Sequence, residues 1–230
     1  MKALGFNMIR KHIKIEPARW YMHCDREGIL VWQDLPSPNL PSGYEDYAKK
    51  NFEDESKRII TAFRNHPSII QWVVFNEGWG QFDTERMTQI VIGEVGQSLV
   101  CCASGWVDAP IGDIKDSHSY PNPSCPLDET RAGVCGEYGG ITLKVQGHIW
   151  PGGDFQYTTV ETGKDFTVLF NNLADKVIDH YYYGLNAAVY TQLSDVEIEK
   201  NGIYTYDRRV LKPYSATGEL KTKIEECINL

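Results

Sequence analysis

The chain has 230 residues, 42% of them hydrophobic and 23% charged, with a formal net charge of −8. That length allows one large domain or two small ones with a sizeable buried core. The acidic balance and scattered basic residues exclude phosphate-backbone recognition, so nucleic acid is not an expected partner. No apolar run reaches the roughly 18 residues of a membrane span, so no membrane is expected either. The first residues lack the long apolar core and small-residue cleavage site of a signal peptide. A periplasmic or secreted destination would then need a signal elsewhere in a longer protein. Six cysteines (Cys24, Cys101, Cys102, Cys125, Cys135 and Cys227) show no C-x-x-C spacing and read as placed thiols rather than a disulfide or metal framework. Oligomeric state stays open.

Short β-rich runs alternate with helical patterns along the chain, as in βαβ units around a parallel sheet. Gly5 to Ile9 is a first short apolar run. Pro17 then suits a helix start, Trp20, Tyr21 and Cys24 an apolar face, and Gly28 the end. Ile29 to Trp32 is continuously apolar and predicts a buried strand. Past a proline-rich loop (Pro36, Pro38, Pro41), Tyr44, Tyr47, Phe52, Ile59, Ile60 and Phe63 fall near helical spacing, and Asn65-His66-Pro67 ends that helix. Ile69 to Phe75 is the strongest strand in the sequence. Asp83 is placed to cap a helix carrying Met87, Ile90, Val91 and Val95. Further strands are predicted at Leu99–Ala103, Ser117–Tyr120 and Ala132–Cys135. An irregular stretch from Gly139 to Thr162 leads into an amphipathic helix through Phe166, Leu169, Phe170, Leu173, Val177 and Tyr181. Asn186 to Tyr190 is the last strand, followed by a loop and a short terminal helix.

Seven strands so placed fit an open doubly wound sheet or an eight-stranded (β/α)8 barrel with one strand missing. Two features favour the α/β barrel. Polar residues cluster past the strand ends (Arg10 and His12, Gln33 and Asp34, Asn76 and Glu77, Tyr120, Glu137, Gln192 and Asp195), and a barrel gathers such ends on one rim. No glycine-rich phosphate turn follows the first strand.

Two segments carry the chemistry. In Trp72-Val73-Val74-Phe75-Asn76-Glu77-Gly78-Trp79-Gly80-Gln81, a carboxylate follows a long apolar strand beside an amide and an indole. Desolvation of such a group favours its protonated form and suits a general acid, while Asn76 suits a sugar hydroxyl and Trp79 a pyranose face. In Gly136-Glu137-Tyr138-Gly139-Gly140, flanking glycines leave room for close approach to the backbone. Each acid alone reads as readily as a capping or solvated carboxylate. Together they supply the pair that retaining glycoside hydrolysis needs.

The strings Gly5-Phe6-Asn7-Met8-Ile9-Arg10-Lys11-His12 and Cys24-Asp25-Arg26-Glu27-Gly28-Ile29-Leu30-Val31-Trp32-Gln33-Asp34 resemble family 2 glycoside hydrolases, the β-galactosidases, β-glucuronidases and β-mannosidases. So do His66-Pro67-Ser68-Ile69-Ile70 leading to Asn76-Glu77, and Gly136 to Gly140. The resemblance runs from about Gly5 to Pro213. It implies a (β/α)8 TIM barrel with its catalytic glutamates after strands 4 and 7: Glu77 as acid/base and Glu137 as nucleophile. It further implies Arg10 beside the nucleophile, Asn76 on the sugar 2-hydroxyl and Tyr120 as a donor to the nucleophile. His118, His12 and Asp34 would meet substrate, His12 and Asp34 standing where relatives bind sugar hydroxyls or a metal. The last strand lacks the tryptophan many relatives place beneath the sugar, for which Trp79 or Trp150 would substitute. Because Gly5 to Arg10 matches the family's second strand, the chain is expected to be a single, incomplete barrel domain. The jelly-roll and immunoglobulin-like domains of the family are not found in it. The implied activity is retaining exo-hydrolysis of β-linked glycosides, β-galactosidase-like, with no obligatory cofactor, although a divalent cation near the site would be compatible. A non-catalytic carbohydrate-binding fragment is the alternative. A barrel lyase or aldolase would want a Schiff-base lysine at a strand end, and the strand ends read above carry none.

Overall fold

A computed structural model describes residues 1–37 and 45–213, with Lys223, Glu226 and Cys227. Pro38, Pro41 and Tyr44 lie outside the described residues, as does most of the expected terminal helix. The chain divides into two compact units. One comprises Asn7–Ser117 and Pro126–Val134, the other Met1–Phe6, His118–Cys125 and Cys135–Leu230.

In the first unit a parallel sheet takes β1 (Met8–Lys11), β2 (Leu30–Asp34), β3 (Ile69–Asn76) and β4 (Leu99–Ser104) in that order. Between them run α1 (Ala18–Glu27), α2 (Asp46–Phe63) and α3 (Thr84–Val95). This is the expected βα alternation, because a parallel connection needs a crossover and a helix is the compact one. β3 is an inner strand and almost wholly buried, which is why its apolar run is unbroken. Gly28 ends α1 in the left-handed conformation at φ 67°, with its N–H on the Cys24 carbonyl. α2 turns Phe52, Ser56 and Ile60 inward at four-residue spacing, and Phe52 meets Phe75 and Phe82 with ring centroids 5.7 and 5.9 Å apart.

Glu53 of α2 accepts from Arg86 of α3 at 2.7 Å and from Lys57 at 2.8 Å. The Arg86 bond first, then that of Lys57, holds its carboxyl down to about 2. A carboxyl whose folded pKa lies below its unfolded one stabilises the fold above the unfolded value, and that contribution fades as pH falls toward the folded one. Wild type and Glu53→Gln should therefore differ in urea midpoint at pH 6, and the gap should close between pH 4.5 and 2.

The second unit is built on α4 (Gly163–Tyr181), whose first turn is capped by the Thr162 hydroxyl accepting from the Asp165 N–H. Its Phe166, Phe170 and Leu173 pack with Tyr138, Ile141, Tyr190 and Ile203. Within this unit β7 (Ile141–Thr142) pairs with β8 (Thr158–Thr159); a further sheet has the strand order β5 (Ile114–His118), β6 (Ala132–Gly139), β9 (Leu185–Thr191), of which Ile114–Ser117 and Ala132–Val134 belong to the first unit.

Several expectations are corrected. β1 starts at Met8, after a 3-10 turn and Gly5 at φ 90°, and runs to Lys11. A strand end therefore does carry a lysine, and Lys11 is paired with Glu16. β5 starts three residues early and stops before Tyr120. β6 is twice the expected length, so Glu137 lies within it rather than past its end. The stretch from Gly139 to Thr162 holds the β7–β8 pair. Asp83 stands at the N-cap of α3 in a left-handed conformation without a side-chain cap bond, its carboxylate 3.6 Å from Arg86. As expected, all six cysteines are free thiols. Among the described residues no helix is long and apolar enough to cross a membrane.

Candidate active site

In the first unit the parallel register brings three buried polar side chains together. Arg10, in β1, donates from Nε and Nη2 to the two oxygens of Asp34 at 3.1 and 2.8 Å, and from Nη2 to Asn76 Oδ1 at 2.8 Å. Arg10 and Asp34 side chains are each 2% exposed. A fork of parallel N–H donors matches a carboxylate, and burial without that match would be costly. Asp34 Oδ2 also accepts from the Ile13 N–H at 3.2 Å. Both oxygens of Asp34 are thus engaged by protein. His12 is exposed in the turn after β1.

Glu77 follows β3 directly, at φ 55° and half-buried, with its N–H on the Ser104 carbonyl at 2.8 Å. Left-handed backbone at a glutamate is uncommon and costs on the order of 1 kcal/mol or more, a cost that concentrates at functional positions. Trp79, two residues on, is 40% exposed.

The second unit assembles its own cluster around Glu137. Tyr120 donates its hydroxyl proton to Glu137 Oε2 at 2.5 Å, and its oxygen lies 3.0 Å from the Thr191 hydroxyl. A phenol has one proton; with that proton on the carboxylate, Thr191 is the donor of the second bond. Burial, and then the Glu137 charge, push the Tyr120 phenol far above its ordinary range, so it stays protonated. His118 Nδ1 is 3.5 Å from the same Glu137 oxygen, and the His118 side chain is 1% exposed. Tyr157 stacks on Tyr120 with centroids 3.8 Å apart and planes 6° off parallel.

Gly140 makes that stack possible. At φ +65°, a Cβ there would stand 2.5 Å from Tyr157 Cδ2 and 3.0 Å from Tyr120 Cδ1. Gly140→Ala should destabilise the protein by about 1–3 kcal/mol, the usual range for a side chain forced into such backbone and an occupied space. Paired thermal melts of the wild type and the variant check it.

Thus Arg10, Asp34 and Asn76 meet in one unit with Glu77 next in the chain, while His118, Tyr120 and Glu137 meet in the other. Trp150 is exposed, edge-on to Tyr206 at 5.4 Å. Sequence reasoning missed Thr191, although it ends the last strand, and Tyr157, which no local pattern marks within its irregular stretch.

Comparison with known proteins gives the family context. Residues 1–119 match the family described as glycosyl hydrolases family 2, TIM barrel domain. A putative β-glucuronidase of Formosa agariphila is 36% identical over 81 residues, 34% of this chain and 8% of that protein. A β-galactosidase of Oenococcus oeni is 32% identical over 90 residues, 35% of this chain and 8% of that protein. Among solved structures, the GH2 β-galacturonidase of Eisenbergiella tayi bound to galacturonate superposes with a TM-score of 0.73 at 17% identity, covering 98% of this chain and 46% of that one. The chain therefore spans under half of that structure, and its matched segments a small part of the curated relatives.

Proposed function

Since the chain belongs to the TIM barrel domain family of the family 2 glycosyl hydrolases, we propose that it hydrolyses β-linked glycosides from the non-reducing end with retention of configuration. Glu137 attacks the anomeric carbon as Glu77 protonates the departing oxygen; Glu77 then takes a proton from water, which displaces Glu137 from the sugar. The observation that carries this reading is the 2.5 Å bond from Tyr120 to Glu137. A neutral donor aligns the carboxylate without neutralising it, as a nucleophile requires. Arg10 only donates, so Asn76 Oδ1 faces it and the amide NH2 is the end that binds a sugar hydroxyl. His118 and His12 supply further polar contacts, with Trp79 and Trp150 as ring faces. The chain's own carboxylates suffice for each proton transfer, so the reaction proceeds without an organic cofactor or a required metal.

β-Galactosides are the substrate class expected first. The Formosa agariphila relative named as a putative β-glucuronidase favours β-glucuronides as the second reading. Proton NMR of fresh hydrolysates from β-galactoside, β-glucuronide and β-mannoside substrates should show the β-anomer of one sugar appearing first, before and after EDTA treatment. An α-anomer appearing first would sink the retaining mechanism. Sugar binding without any turnover would leave the carbohydrate-binding alternative.

A further inference from the structure

The surface beside Glu77 holds more exposed aromatic area than the reaction above uses. An acid that protonates the glycosidic oxygen must sit within hydrogen-bond reach of it, and that oxygen is the first atom of the leaving group. The protein surface around Glu77 in its own unit is therefore where a leaving group rests. β4 ends there: Asn76 pairs in register with Ser104, and the Glu77 N–H bonds the Ser104 carbonyl at 2.8 Å. The chain continues as Gly105-Trp106-Val107, with Trp106 62% and Val107 49% exposed.

This loop is tied down on both sides of its tip. Gln81 Nε2 donates to the Val107 carbonyl at 3.0 Å, and a Cβ on Gly78 would come 2.6 Å from Val107 Cγ2, so the loops after β3 and β4 lie in direct contact. Arg131 grips the far side, with two 2.8 Å bonds to the Asp108 carboxylate and one of 2.8 Å to the Ala109 carbonyl. An indole held out to solvent by a fixed loop costs little to order when a ligand covers it, which is the advantage of preorganisation. Such a face suits a flat, apolar ring.

We propose that Trp106, with Val107, is the platform on which the leaving group stacks, and that it selects leaving groups with a flat apolar face, aryl or pyranosyl. The proposal rests on Glu77 as the acid/base.

Phenyl and methyl 1-thio-β-D-galactopyranosides and the matching thioglucuronides bind without ready cleavage, so calorimetric titration of the full chain separates binding from turnover. For one sugar, the phenyl member should bind about tenfold more tightly than the methyl member, about what one well-packed aromatic contact contributes. Trp106→Ala should erase most of that preference, and Trp106→Phe should keep it. An S-linked disaccharide of the same sugar tells a pyranosyl from an aryl platform, since the more tightly bound ring names the class. A phenyl preference that is absent in the wild type, or unchanged in Trp106→Ala, overturns the platform, as does failure of all these glycosides to bind. If Glu77→Gln abolishes hydrolysis of unactivated glycosides while the preference survives Trp106→Ala, only the platform fails. If Glu77→Gln hydrolyses them normally, the acid/base reading fails instead.

Discussion

Glu137→Gln should lower kcat/KM on every hydrolysed glycoside by about 10⁴-fold or more, the scale on which losing a covalent nucleophile is felt. The amide keeps the shape of the carboxylate and still accepts from Tyr120, so the fold should be unaffected and the melting temperature close to wild type. Stereochemistry then separates the two glutamates. In Glu137→Ala, added azide attacks the anomeric carbon from the face the carboxylate vacates, and the product is the α-glycosyl azide. In Glu77→Ala, Glu137 still forms the glycosyl-enzyme from a substrate with a good leaving group, and azide enters from the opposite face to give the β-azide. Chromatography with NMR of the azides reads both. A β-azide from Glu137→Ala, or undiminished hydrolysis by Glu137→Gln, refutes the assignment of Glu137.

The largest effect on stability is expected at Arg10. Arg10→Leu leaves Asp34 buried with the Ile13 N–H as its one remaining bond of those described above, and takes a donor from Asn76. Removing one partner of a buried ion pair typically costs about 3–5 kcal/mol, mostly from stranding the other charge. Urea denaturation should show a loss of that size. The double variant Arg10→Leu/Asp34→Leu should regain a good part of it, because no charge is then left without its counterpart. Activity should stay low in both, because Asn76 is no longer held. A single variant as stable as wild type would mean that the pair contributes nothing to the fold.

How much of this could be read from residues alone depended on what each segment buries. β2 and β3 were legible because both faces are covered and the strings are simply apolar. The first half of β5 is hidden from a hydropathy reading because its middle reads Lys115-Asp116-Ser117. Asp116 is buried there and accepts from the Ser104 hydroxyl at 2.5 Å, a pairing across strands that no hydropathy pattern records. The far end of β6 is hidden because Gly136, Gly139 and Gly140 look like a turn. Gly139 and Gly140 belong where rings pack against backbone: a Cβ on Gly139 would lie 2.3 Å from Tyr190 Cε2. The two glutamates stand out in the sequence through motif order, whereas the partners of Arg10 and the stack of Tyr157 on Tyr120 arise from register and long-range packing.

The contact of Arg10 with both Asp34 and Asn76 has a consequence for how this sequence can drift. The three residues stand on β1, at the end of β2 and at the end of β3, and each holds a hydrogen-bonding group that another needs. Loss of Arg10 leaves Asp34 and Asn76 each short of a donor, while a matched change at all three strands none of them. Although 24 and 66 positions separate Arg10 from its two partners, the three behave under mutation as one site, and the pairing of β1, β2 and β3 is written into them as much as into the apolar runs.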